Sequence, residues 1–130
     1  MISITTKSPY AVLALAELAR SSSGKPVPIG ELARRRDVPV QFLEQLFAAL
    51  RRAGIISSQR GVHGGYRFAR EPETVTVLEI VELLDGPLGR DADGVFEEAA
   101  DAARKVLART TIADIVQREL HDAGASMYHI

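Results

Sequence analysis

The chain has 130 residues, 46% of them hydrophobic, which suits one compact domain with a modest core. It contains no cysteine, and this excludes a disulfide framework, a thiolate metal site and thiol chemistry. The net charge of −1 hides an asymmetry: residues 1–70 carry eleven Lys and Arg against four Asp and Glu (+7), residues 71–130 five against thirteen (−8), and a basic half of this kind points to a polyanion.

No apolar run approaches the roughly 18 residues that span a bilayer. The start, Met1-Ile-Ser-Ile-Thr-Thr-Lys, has neither the apolar block nor the cleavage site of a secretory signal, so a cytoplasmic protein is expected. Thr6-Lys-Ser-Pro-Tyr opens the first helix, with Thr6 or Ser8 as its cap and Pro9 where a helix tolerates proline. From Ala11 to Ala19 the run is apolar apart from Glu17, which predicts a central, buried helix. Arg20-Ser-Ser-Ser-Gly-Lys-Pro is a turn-rich connector.

Residues Ile29–Arg36 form a short helix with Ile29, Leu32 and Ala33 on one side. The run Arg34-Arg-Arg leads into the break Asp37-Val-Pro. A second helix follows over Val40–Ala53, where Leu43, Leu46, Phe47 and Leu50 recur at i, i+3, i+4 and i+7. Its other face carries Gln41, Glu44, Gln45, Ala48, Arg51 and Arg52, and Gly54 stops it by adopting the left-handed conformation. Two helices joined by a short turn make a helix-turn-helix, whose second helix is the reader. Two strands follow, Ile55-Ile-Ser-Ser-Gln and Tyr66-Arg-Phe-Ala, joined by the tip Arg60-Gly-Val-His-Gly-Gly. A polar-faced helix followed by a basic, glycine-tipped hairpin is how a winged helix meets DNA: helix in the major groove, hairpin on phosphates or the minor groove.

Thr76-Val-Leu-Glu matches a capping box for the helix Val77–Leu84, with Ile80, Val81 and Leu84 inward. Asp85-Gly-Pro-Leu-Gly-Arg-Asp-Ala-Asp-Gly is a loop. Val95–Ala108 is an amphipathic helix whose Phe96, Ala99, Ala100, Ala103, Val106 and Leu107 suit close approach of a second copy, and these six are the expected dimer interface. Thr111 and Asp114 form a weaker capping pair, after which Ile112, Ile115, Val116 and Leu120 face inward. The stretch from His121 onward lacks strong periodicity and is expected to be frayed or loosely docked. The fold class is therefore mainly α with a small β-hairpin wing. Residues 1–85 are the winged helix-turn-helix, and residues 86–130 supply the loop, the dimerisation helix and a C-terminal helix in one continuous chain.

The chain resembles the Rrf2 family of bacterial winged-helix regulators, the group of IscR, NsrR and CymR-type proteins, over roughly residues 2–120. The resemblance rests on Ser3-Ile-Thr-Thr-Lys with Tyr10-Ala-Val, Ile29-Gly-Glu-Leu-Ala, Phe42-Leu-Glu-Gln-Leu, Leu50-Arg-Arg-Ala-Gly-Ile-Ile, and Val77-Leu-Glu-Ile-Val with Leu84-Asp-Gly. The most telling piece is the wing, Arg60-Gly-Val-His-Gly-Gly-Tyr-Arg-Phe-Ala. It implies a homodimer on a palindromic operator, with the long helix crossing the partner, and DNA-backbone contacts from Lys7 and Tyr10. Many members bind an iron–sulfur cluster through three cysteines in the loop before the dimer helix. Here that loop, Gly86 to Gly94, holds none, so no Cys-ligated cluster and no other cofactor or metal is expected.

The expected DNA-binding residues are accordingly Lys7, Tyr10, Val40, Gln41, Glu44, Gln45, Arg51, Arg52, Arg60, His63, Gly64, Gly65 and Tyr66. Gln can pair with adenine and Glu can accept from the cytosine amino group. Arg51 and Arg52 lie far along the helix and suit phosphate. Arg60 suits a narrow minor groove, and His63 a pH-sensitive phosphate contact. Each has a plainer role available: any tight hairpin wants glycine, Tyr10 can pack on the core, and Glu44 can be a merely structural acid. His121 and His129 are too few for a metal site. The sequence has no nucleophile elbow and no phosphate loop, so catalysis is not expected. The rival readings are a winged helix that binds protein, and a regulator controlled by a small molecule or partner protein. An effector site is expected between the first helix, the helix Val77–Leu84 and the dimer helix, with Glu17, Arg104 and Tyr10 as polar lining.

Overall fold

A computed structural model describes residues 4–21 and 24–127; Ser3, Ser22, Ser23 and His129 lie outside the described residues. Among the described residues the order is α1 (Lys7–Ser21), α2 (Ile29–Arg36), α3 (Val40–Arg52), β1 (Ile56–Gln59), β2 (Gly65–Phe68), α4 (Val77–Asp85), α5 (Gly94–Ala108) and α6 (Ile112–Met127), with a 3-10 turn at Pro72–Thr74.

Helix α1 runs through the centre. Its Ala11, Ala14, Leu15 and Leu18 are buried, and α2, α3, α4 and α6 all pack on it. The expected cap is corrected: Ser8 lies inside the helix with its hydroxyl donating to Asp85, and it is the Thr5 hydroxyl that accepts from the Lys7 amide at 3.2 Å. Pro9 sits in the first turn, where a missing N–H leaves no bond unmade.

Leu43, Leu46, Phe47 and Leu50 of α3 are all buried, as their spacing requires. Gly54, at φ 79°, turns the chain so that Ile55 donates back to Leu50 at 3.1 Å. β1 and β2 pair antiparallel, Ile56 with Phe68 through to Gln59 with Gly65. The wing is not free-standing. Tyr66 exchanges backbone hydrogen bonds with Val27 at 2.8 and 2.9 Å, and its ring meets Phe47 edge-on at 5.1 Å. Gly65 makes that approach possible: at φ 152°, a Cβ there would collide with the backbone of Val27 and lie 2.7 Å from the Pro28 nitrogen.

Both capping pairs form. Thr76 and Glu79 close a reciprocal box on α4, and Thr111 and Asp114 one on α6, with amide-to-side-chain distances of 3.0 and 3.1 Å in the latter. The two helix starts are stitched side by side, Val77 donating to Thr110 and Ile112 to Val75. A second apolar cluster, Val77, Val81 and Leu88, gathers Leu107 of α5 and Ile115 of α6. Helix α6 corrects half of a second expectation: the stretch from His121 is not frayed but continues the helix to Met127, while His121, Asp122 and Ala123 stand exposed, as loose docking would have them. Helices propagate more easily than they start, so a capped beginning carries the turns beyond the last strong apolar position. None of the described helices is long and apolar enough to cross a membrane.

Candidate nucleic-acid interface

Opposite its buried stripe, α3 turns Val40, Gln41, Glu44, Gln45, Arg51 and Arg52 to solvent. The turn before it is three residues, with Asp37 at the left-handed φ of 54° and Val38 buried. Amides at the turn donate to Ala33 and Arg34. This fixes how α3 leaves α2, so the polar face is presented by a held helix.

The wing tip carries Arg60 and His63, both exposed, around a turn closed by Gly64 donating to Gly61 at 3.0 Å. A Cβ on Gly64 would collide with the Gln59 carbonyl. Gly64 and Gly65 therefore have a shape role whatever else they touch. Tyr66 is half-buried with its ring on Phe47. Tyr10 is likewise half-buried and meets Phe42 edge-on at 5.7 Å, while Lys7, one turn earlier, is exposed. Sequence reasoning did not single out Val62, which stands at the tip with 96% of its surface exposed. An apolar tip residue could have been noticed beside Arg60.

The ion pairs divide the basic residues. Arg20, Arg34, Arg35, Arg36, Arg70 and Arg104 pair with carboxylates within the chain. Among the described residues, Arg51, Arg52 and Arg60 make no such pair. Unneutralised arginines thus gather on the reading helix and the wing, where a polyanion would complete them, although Arg109 at the end of α5 and Arg118 on α6 are unpaired too.

Arg34-Arg-Arg is in large part an internal clasp. Arg36 donates from Nη1 and Nη2 to both oxygens of Glu119 at 2.6 and 2.9 Å, and from Nε to Glu17 at 2.9 Å. Arg35 reaches Glu17 at 3.2 Å and Glu31 at 2.5 Å. Hydrogen bonds from Arg36 hold the Glu119 carboxyl below its usual range. At Glu17 burial pushes upward, but the bonds from Arg36, Ser21 and Arg35 outweigh it and lower the group. Asp85 behaves similarly: burial opposes, yet the hydroxyls of Ser8 and Thr5 hold it down. Lowered carboxylates contribute stability that is complete above their unfolded values, 4.5 for Glu and 3.8 for Asp, and is lost as pH falls through the folded ones. Denaturant midpoints should therefore stay level from pH 7 to about 5 and drop below that; a flat midpoint down to pH 3 would contradict these bonds.

The expected effector lining is corrected. Glu17 belongs to the clasp, Tyr10 to Phe42, and Arg104 to Asp101 and the Leu88 carbonyl, so the three do not line one space. A trough of about 480 Å³ does exist there, but Ile4, Pro9, Val12, Leu13, Leu107 and other apolar groups wall it. Its polar exception, Ser8, is already bonded to Asp85. The expected dimer stripe splits in two. Ala100 is buried, and Ala103 and Leu107 pack against the second cluster, so these three serve the chain's own core. Phe96, Ala99 and Val106 face outward, joined by Val95.

The loop before α5 packs down through Leu88, 2% exposed, whose carbonyl accepts from Arg104. It offers no thiolate, and no group of three His, Cys, Asp or Glu among the described residues is placed to hold a metal ion. The residues present do not fit an iron–sulfur cluster.

A family profile named Rrf2, described as iron-dependent transcriptional regulator, matches residues 4–93. The chain is 32% identical to the HTH-type transcriptional regulator CymR of Bacillus subtilis, covering 98% of this chain and 99% of that one. It is 41% identical to the HTH-type transcriptional regulator IscR of Cereibacter sphaeroides, covering 94% and 92%. The structure of B. subtilis CymR, the global cysteine regulator of that organism, superposes with a TM-score of 0.82 at 31% identity, over 91% of this chain and 98% of that one. These relatives are regulators, not enzymes.

Proposed function

The chain belongs to the Rrf2 family of DNA-binding transcriptional regulators, and we propose that it works as a homodimeric repressor on a pseudo-palindromic operator without a Cys-ligated cluster. One observation carries this reading: Arg51, Arg52, Arg60 and Arg67, four arginines left without a carboxylate among the described residues, gather on the α3 face and the wing, while Arg109 and Arg118 are unpaired at the end of α5 and on α6. Gln41, Glu44 and Gln45 are the base readers, and Arg51 and Arg52 grip phosphate. The exposed apolar face of α5 supports the dimer, since Val95 and Phe96 are 68% and 65% exposed. Two copies related by a two-fold axis set half-sites about one helical turn apart.

With no thiolate to bind a cluster, regulation through a Cys-bound iron–sulfur centre falls away, which leaves a small molecule, a partner protein or no signal at all. The direct test of the reading is selection from a random duplex pool by the purified protein, followed by salt titration on the recovered sequence. Enrichment of an inverted repeat, bound with a steep salt dependence, is expected; a pool that stays random would refute it.

The wing gives a sharper expectation. Arg60→Ala should weaken operator binding and lower the salt slope by about one if the guanidinium sits on phosphate. If it enters the minor groove, the loss is larger at A/T-rich flanks than elsewhere. Affinity unchanged at both low and moderate salt would place the wing off the DNA.

A further inference from the structure

Helix α2 is short. It has eight residues, of which Leu32 and Ala33 are buried, and its N-cap, Pro28, supplies no side-chain bond. Such a helix does not hold itself. Its last residue is Arg36, after which three residues turn the chain into α3. The Arg36 side chain is only 14% exposed, and its guanidinium is gripped at three nitrogens, by Glu119 of α6 and Glu17 of α1. A planar fork meeting both oxygens of one carboxylate fixes direction as well as distance.

We propose that Arg36 and Glu119 are positioning residues for DNA reading: the clasp sets the end of α2, and through the three-residue turn the angle at which α3 presents its polar face. This rests on the regulatory reading above. The clasp spans 83 positions of sequence, so the reading head takes its orientation from the C-terminal helix that follows the dimer helix. Base recognition depends on hydrogen bonds that weaken steeply with misalignment, whereas phosphate attraction does not. Losing the clasp should therefore lower specificity without lowering general attraction to DNA.

Glu119→Gln separates this from electrostatics, because removing an acidic charge would by itself tighten binding to any DNA. The full chain, wild type and variant, is titrated with the duplex recovered by selection and with a scrambled duplex of equal length. The expected result is a loss of about tenfold on the selected duplex, the scale of one base contact. Scrambled-duplex binding should be unchanged or tighter, with the salt slope on the selected duplex preserved. Arg36→Lys keeps the charge and removes the fork, and should show the same loss of ratio should Glu119→Gln fail to fold. A ratio within twofold of wild type in the folded variants, or an equal loss on both duplexes, overturns the inference. A wild-type protein that enriches no sequence overturns the regulatory reading, and this inference with it.

Discussion

Replacing Phe47 by Ala should cost about 3–5 kcal/mol of folding stability, the usual loss for a buried Phe. Phe47 is fully buried in the stripe of α3, and its ring also meets Tyr66 of the wing edge-on at 5.1 Å. The substitution removes apolar area, leaves a cavity, and forfeits a ring pair worth about 0.5–1.5 kcal/mol beyond that area. A domain is typically stable by only about 5–15 kcal/mol, so the variant should sit close to unfolding. Urea titration should show a lower midpoint with an unchanged slope. Phe47→Leu, which keeps most of the volume, should lose much less. A loss under about 1 kcal/mol for Phe47→Ala would mean that α3 and the wing are not packed together as described.

That residue also shows why much of the fold was legible in the sequence. Leu43, Leu46, Phe47 and Leu50 obey a spacing that only a helix satisfies on one face, and all four are buried. Gly54 marks the end of that helix, and the Thr76–Glu79 box the start of α4, through interactions across three or four residues. Local rules of this kind can be read from local sequence. The wing's placement was half legible: three glycines announce a tight tip, but the bridge to Val27 lies about forty positions away and leaves no local trace.

The failures share one cause. Arg34-Arg-Arg reads as a charge run leading into the reading helix, since nothing nearby in sequence reveals Glu119. Ser8 reads as a cap until Asp85 is brought beside it. Glu17 reads as a polar break in a buried helix, and its arginine partners come from the next helix. Ala100, Ala103 and Leu107 share a periodic stripe with Phe96, Ala99 and Val106, and periodicity cannot tell which neighbour each side will meet. Leu88 looks like a loop residue and is buried, because α5 folds back over it: Gly89 leaves room such that a Cβ would come within 2.7 Å of the Ala100 Cβ. In each case a contact far along the chain decides the role of the residue.

The split stripe sharpens the last expectation. Phe96→Asp should convert the proposed dimer to a monomer, since Phe96 stands 65% exposed on the outer face of α5 and Val106 of the same face 44%. A carboxylate placed there must be desolvated when two copies meet, and on a two-fold axis each copy brings its own. The single chain should hardly notice: substitutions at exposed positions usually change stability by within about 0.5 kcal/mol. Sedimentation should therefore report a monomer at micromolar concentration while the melting curve is nearly unmoved. Two linked reading heads gain roughly 10²–10⁴ in affinity over one, so the full inverted repeat should be bound at least about 100-fold more weakly. Binding to a single half-site should stay as it was. Ala100→Asp supplies the contrast: with Ala100 1% exposed inside the chain, a charge there should unfold the protein rather than separate copies. A Phe96→Asp protein that still sediments as a dimer and binds the full repeat undiminished would show that the copies meet elsewhere, or that one reading head suffices.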